Sequence, residues 1–229
     1  MHARPDRRKE TPIAKPARRI LRENGLTLAL LALFSLSLLG QALTGWRDES
    51  GEREAHGLPE AGFAEYVASG DFVEAVAENW EGEFVQMAAF VWLTSFLFQK
   101  GSPESRDPDE PPETVAVTAR SPWPVRRGGW IRKLYGSSLT LALVVLYVGS
   151  ATLHAFGGLR AWNEDRGMHG LPGRTMAEYV TSARFWAESF QNWQSEFLSI
   201  ALMVVLAIFL RQKGSPESKP VESPHSRNE

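Results

Sequence analysis

Asn79-Trp80-Glu81-Gly82-Glu83-Phe84 opens an apolar run that closes in Gln99-Lys100-Gly101-Ser102-Pro103-Glu104-Ser105. The same plan returns as Asn192-Trp193-Gln194-Ser195-Glu196-Phe197, an apolar run, and Gln212 to Ser218. A constant offset of 113 positions relates the two copies, counted from His56 to His169. It also matches Gly57-Leu58-Pro59 with Gly170-Leu171-Pro172, Ala64-Glu65-Tyr66-Val67 with Ala177-Glu178-Tyr179-Val180, and Phe72 with Phe185; about half of the positions from His56 to Arg106 are identical. Self-similarity of this length makes the chain two copies of one structural plan.

The average composition conceals what each copy is. The net charge is -2 and the chain holds no cysteine, which removes disulfides, thiolate metal sites and cysteine catalysis. Yet the apolar residues gather in four segments, near Leu26 to Gly45, Trp80 to Phe98, Ser138 to Gly157 and Trp193 to Leu210, separated by stretches rich in charge, Pro and Gly. A helix needs about 20 mostly apolar residues to cross the hydrocarbon of a bilayer. The expected fold is therefore an all-α membrane protein with four transmembrane helices, arranged as two parallel, pseudo-symmetric two-helix repeats. Short interfacial helices are expected in the outer loops, after each Gly-Leu-Pro turn.

The segments follow in order. Residues 1–24 form a basic tail, 25–106 the first repeat with two spans, 107–129 a Pro-rich linker, 130–218 the second repeat with two spans, and 219–229 a polar tail. Leu26 to Leu39 followed by Gly40-Gln41-Ala42 has the look of a cleavable signal segment. The equivalent run from Leu139 lies mid-chain, so both read as retained spans. Asp71 is placed to cap a helix that continues without proline to Phe98, about 28 residues or roughly 42 Å, until Gly101 and Pro103 stop it.

Charge sets the expected topology. Arg and Lys crowd the N-terminal tail, the linker (Arg120, Arg126, Arg127, with Arg132 and Lys133 beyond it) and the C-terminal edge, whereas the loop from Trp46 to Glu78 is acidic. Basic flanks stay on the cytoplasmic side. Both termini and the linker are expected in the cytoplasm of a bacterial cell, with the chain multi-pass in the inner membrane. Two spans per copy make the repeats parallel, as in a fused homodimer.

A candidate site follows from depth. From Phe84 to Phe98 the apolar run is only about 15 residues, roughly 22 Å, so the span borrows its first turn from Asn79 to Glu83. Glu83 and Glu196 then sit at or just inside the outer boundary. Asn79 and Asn192 share their helix faces, and Gln41 and His154 stand at equivalent positions of the first and third spans. Paired carboxylates held there can bind a cation or pass a proton. The plainer reading is that each Glu snorkels outward and ties the spans together.

Other chemistry lacks its signature. His56 and His169 carry no His-x-x-x-His or Glu-x-x-His spacing and read as turn residues, so no metal site and no cofactor are expected. Trp46, Trp80, Trp162 and Trp193 fall at outer ends, where an aromatic belt is ordinary. There is no phosphate-cradling Gly loop and no Gly-x-Ser-x-Gly elbow, and the basic stretches need no nucleic acid to explain them. The identical Gln-Lys-Gly-Ser-Pro-Glu-Ser blocks serve either as helix stops or as docking points for a cytoplasmic protein partner; the other expected partner is the lipid bilayer.

Taken together, Asn24-Gly-Leu-Thr, Gly40-Gln-Ala-Leu-Thr-Gly-Trp46, His56-Gly-Leu-Pro, Asn79-Trp-x-x-Glu-Phe, Pro122-Trp-Pro-Val-Arg-Arg-Gly-Gly129 and the paired Gly-Ser-Pro-Glu-Ser ends resemble an uncharacterised bacterial family of four-span membrane proteins, a domain of unknown function. The resemblance implies a bacterial multi-pass membrane protein and supplies no activity. The expected function is that of a non-enzymatic structural or interaction component of the membrane. The alternative is a small transporter, channel or cation-sensing protein that uses Glu83 and Glu196.

Overall fold

The computed structural model describes residues 14–109 and 114–226; of residues 14–17 only the backbone is described. Calls on the tail at 1–13, the linker at 110–113 and the end at 227–229 lie outside the described residues. Every regular element among the described residues is helical. The chain divides after Val67 into two units.

The first unit holds α1 (Ala14–Ala55) and α2 (Phe63–Val67). Part of the segment read as an irregular tail is helix, since α1 starts at Ala14 and breaks direction at Asn24 (φ -128°, ψ 17°), whose side chain donates back to the Ile20 carbonyl at 3.2 Å. That local bond competes with the helical ladder, as Asn side chains do. Near its end, α1 carries α2. The Trp46 indole N–H donates to the Ala61 carbonyl at 2.7 Å, its ring meets Phe63 edge-on, and the Tyr66 hydroxyl occupies the notch over Gly45.

The second unit comprises α3 (Gly70–Leu93), α4 (Trp123–Arg127), α5 (Gly129–Gly136), α6 (Ser138–Met168), α7 (Met176–Val180) and α8 (Ala183–Phe209). α3 packs along α6 and also against α8. α7 opens in a capping box, in which Thr175 and Glu178 satisfy each other's backbone N–H, and Asn163 of α6 holds the Arg174 backbone just before it. A small core of Ala155, Tyr179 and Phe185, with Leu159, Trp162, Met176 and Val180 around it, fixes α7 and the start of α8 on α6.

Among the described residues, three helices are long and apolar enough to cross a membrane: α1 from Arg18 to Ala55, α6 and α8. The expectation of four spans is corrected at α3. This helix ends at Leu93, five residues before Phe98, and Glu78, Glu81 and Glu83 all fall in its last eighteen residues. The early stop has a local cause. The hydroxyls of Thr94 and Ser95 donate to the Phe90 and Trp92 carbonyls at 2.9 and 2.6 Å, and the Arg106 guanidinium takes the Ser95 carbonyl at 2.7 Å. Its cap also differs from the expectation: Ser69, not Asp71, accepts the Phe72 N–H. On α6 and α8 large apolar residues such as Leu139, Val145, Val148, Leu202 and Leu206 stay exposed. So much exposed apolar surface on long helices is what a lipid environment covers.

Candidate functional site

The site grows from a seam of small residues. A Cβ on Gly157 would stand 2.6 Å from the Glu74 backbone nitrogen, and one on Gly70 would stand 2.5 Å from that of Ala161. With Ala77 and Ala161 also buried, α3 and α6 meet almost backbone to backbone. Along α3 the spacing 70, 74, 77, 81 keeps one face toward this seam, and two of those positions are glutamates. Close approach therefore carries Glu74 and Glu81 into the interior beside His154 of α6.

His154 is fully buried, and Glu81 is 2% exposed. A carboxylate oxygen can only accept, so the His154 Nδ1–H donates to Glu81 Oε2 at 2.7 Å. Phe185 stacks on the imidazole at 4.9 Å between ring centroids and fixes its plane. The far nitrogen, Nε2, then points at the remaining acids. It lies 3.6 Å from Glu188 Oε2 on α8, beyond hydrogen-bonding reach, and makes no hydrogen bond.

Tyr179, also fully buried, places its hydroxyl 3.1 Å from both Glu74 Oε1 and Glu188 Oε2. One hydroxyl proton serves only one of them at a time. Arg184 donates to Glu188 Oε1 at 2.8 Å and stands 3.7 Å from Glu74 Oε1. Burial, and after it the facing Glu188 carboxylate, push Glu74 up to about 7 from its ordinary 4.5. One donor atom from each of Glu74, His154 and Glu188 lies within 4.8 Å of the other two. Beside them, Asn192 donates to Glu78. The cluster thus gathers four carboxyl groups around one imidazole and one guanidinium, with an excess of negative charge that invites a cation.

Of the residues singled out from sequence, His154 lies at the centre of this cluster. Glu83 and Asn79 are exposed, and Asn79 donates back to the Ala75 carbonyl at 2.6 Å. Glu196 and Asn192 are half-buried where α8 crosses Gly82, with Asn192 turned to Glu78. Gln41 belongs to the first unit and is half-buried there. His56 and His169 occupy turns as expected, each ring nitrogen against a carbonyl four residues back, at 2.8 and 2.9 Å.

Sequence reasoning missed Glu74, Glu81, Glu188 and Tyr179. It weighted positions that the copies share, such as Glu83 with Glu196, whereas the cluster's acids and its imidazole stand at positions where they differ. One repeat away, Glu74 matches Ala187, Glu81 matches Gln194, Glu188 matches Ala75 and His154 matches Gln41. Acids interleaved with Gly70 and Ala77 were the available signal, because small residues mark the face that packs most closely.

The family described as Domain of unknown function (DUF6766) matches residues 17–229. The chain belongs to that family. No curated protein and no solved structure matches it.

The other conspicuous repeat, Gln-Lys-Gly-Ser-Pro-Glu-Ser, accounts for its identity locally. In both copies Gly has a left-handed backbone (φ 88° at Gly101, 84° at Gly214), and the last Ser hydroxyl accepts from the first Gln N–H at 2.8 Å. The middle Ser accepts from the Glu N–H, at 3.3 Å in the first copy and 3.2 Å in the second. Only Gly adopts the turn without strain, and only Ser is short enough to close it from both places. Glu104 and Glu217 come together there, and burial followed by Glu217 pushes Glu104 up to about 7.

Proposed function

We propose that this chain is a multi-pass protein of the bacterial inner membrane that binds a cation at the cluster around His154, as a sensing or translocating component rather than an enzyme. The observation that carries this reading is the buried Nε2 of His154, which makes no hydrogen bond and stands 3.6 Å from Glu188 Oε2, facing two carboxylates that share a single tyrosine proton. Charge buried on or between apolar helices is costly and is kept where it serves an ion. A purely structural tie needs no such excess of acid, which favours the cation reading over a scaffold.

The topology that fits has both termini and the linker in the cytoplasm and two parallel copies. Here α3 crosses as a fourth helix from about Trp80 onward, shielded by α6 and α8. From Trp80 to Leu93 the helix supplies about 21 Å, a short span that a bilayer meets by thinning locally, and Glu81 turns inward while Glu83 stays exposed. A protein partner at the inner helix ends is compatible with this reading.

Two measurements test it. Reporters inserted after Pro59 and after Pro172 fall on the same side if α3 crosses, and on opposite sides if only three helices do. In liposomes, Glu74→Gln with Glu188→Gln abolishes cation-dependent flux or stabilisation of the folded chain. A response that survives those changes, or that is lost instead with Glu83→Gln and Glu196→Gln, overturns the assignment to this cluster.

A further inference from the structure

Resting on that cation reading, we infer that the cluster is a binding site for one divalent transition-metal ion, of the zinc or manganese class, held by Glu74, His154 Nε2 and Glu188. Three observations converge on it. The first is donor chemistry: one imidazole nitrogen and two carboxylates from three different helices suit a borderline divalent ion better than Mg²⁺ or Ca²⁺, which prefer all-oxygen shells.

The second is geometry. Ligand atoms about 2.0–2.1 Å from zinc at a tetrahedral angle stand about 3.3 Å from each other. The 3.6 Å between His154 Nε2 and Glu188 Oε2 is too long for a hydrogen bond and close to that separation. The three donor atoms, all within 4.8 Å of one another, close around an ion with movements of up to about 1.5 Å at the widest pair, within reach of a glutamate side-chain rotation.

The third is the outer support. Glu81 accepts the His154 Nδ1–H, which aims Nε2 into the cluster, the arrangement in which carboxylates orient metal-binding histidines. Arg184 holds the far oxygen of Glu188, which leaves Oε2, met by the Tyr179 hydroxyl, facing Nε2. Tyr179, within reach of both ligating carboxylates, donates to whichever oxygen the ion leaves free.

The duplication sets the stoichiometry. The positions one repeat away are Gln41, Ala75, Ala187 and Gln194, which supply no imidazole and no carboxylate. Only Tyr66 keeps the partner of Tyr179. One ion per chain is expected, not a pair related by the repeat.

The test uses the full chain in detergent, stripped with chelator and titrated with Zn²⁺ and with Mn²⁺, with bound metal counted after gel filtration. One equivalent is expected, and 10 mM Mg²⁺ does not displace it. Glu188→Gln and Glu74→Gln, tested separately, each remove stoichiometric binding, while Glu81→Gln weakens it about 10- to 100-fold, the usual effect of losing an outer-shell partner. Glu60→Gln, on an exposed loop residue, changes nothing. Helical circular dichroism and elution volume confirm that each variant is folded; Glu188, the most exposed of the three ligands, serves if Glu74→Gln fails to fold. Two equivalents, or binding that survives both Gln variants, overturns the inference. If neither Zn²⁺ nor Mn²⁺ binds but Na⁺ or K⁺ stabilises the chain through Glu74 and Glu188, the metal assignment falls and the cation reading stands. If no cation acts through these residues, both fall.

Discussion

Gly45 with Tyr66 in the first unit and Gly158 with Tyr179 in the second make the same contact at positions one repeat apart. In each, a Cβ on the glycine would stand about 2 Å from the tyrosine hydroxyl (2.0 Å over Gly45, 1.9 Å over Gly158). The surroundings differ. Tyr179 is fully buried and bridges two carboxylates, whereas Tyr66 is half-buried and Gln41 stands where the second copy has His154. The notch that docks a short helix is common to both copies, and the ionisable chemistry belongs to one. Packing constrains a position in whichever copy it occurs, while a charge cluster needs every member at once.

The largest effect should come where backbone meets backbone. Val in place of Gly157 would press on the Glu74 nitrogen and Cα, at 2.6 and 3.0 Å from the new Cβ, and no side chain can yield there. A loss of about 3 kcal/mol is expected, with the seam opened and the cluster dispersed. Its counterpart in the first copy is Thr44, which is exposed, so Thr44→Val should stay within about 0.5 kcal/mol. Chemical denaturation of the two variants measures the contrast. Equal losses would mean that the first helix is packed as tightly as α6.

The glycine notches give the next effect. Gly158→Ala meets a tyrosine held on all sides and should cost about 2 kcal/mol, while Gly45→Ala meets one that can swing toward solvent and should cost about 1 kcal/mol. Reversal of that order in thermal melts would place the rigid notch in the first unit.

How much of this was legible follows from the same contrast. Turns and the Gly-Ser-Pro-Glu-Ser motifs rest on interactions within a few residues: Gly at positive φ, Ser hydroxyls on nearby N–H groups, Thr175 with Glu178. Such features print themselves in sequence. The extent of α3 did not. Four spans are expected from the apolar runs, whereas the helix stops at Leu93 on the local bonds of Thr94, Ser95 and Arg106. Glu78, Glu81 and Glu83 keep it apart from the three helices apolar enough to cross. The cluster was hidden for a different reason. Glu74, Glu81, His154, Tyr179 and Glu188 come from four helices, and only the register of α3 on α6 brings them together.

The paired Gly-Ser-Pro-Glu-Ser turns offer a pH test. Because burial and Glu217 raise Glu104 from 4.5 to about 7, the folded chain keeps a proton there that the unfolded chain has lost. Its contribution is full below about pH 4.5 and is lost as pH rises through about 7. With solvent partly screening this half-exposed pair, a decline of at most about 1 kcal/mol is expected, removed by Glu104→Gln. A stability profile with the same slope in wild type and Glu104→Gln would show that the two carboxyl groups do not share a proton.

The smallest effect concerns the caps of the two short helices. Thr175 closes a capping box with Glu178, whereas at the equivalent place Gly62 offers only its N–H to Glu65, at 3.3 Å. Thr175→Ala should cost about 1 kcal/mol, and Gly62→Thr should recover a few tenths in the first copy. Glu178 itself, held down to about 2 first by the Thr175 backbone N–H and then by Arg174, adds a contribution present above pH 4.5 and lost as pH falls toward 2. Hydrogen exchange at the α7 amides should therefore speed up in Thr175→Ala and, in the wild type, on acidification across that range. Because α7 carries Tyr179, faster opening of this cap should also loosen the tyrosine over Glu74 and Glu188. If α7 frays with no change at Tyr179, its hold on the cluster comes from the Trp162 and Phe185 rings packed against it and not from the cap.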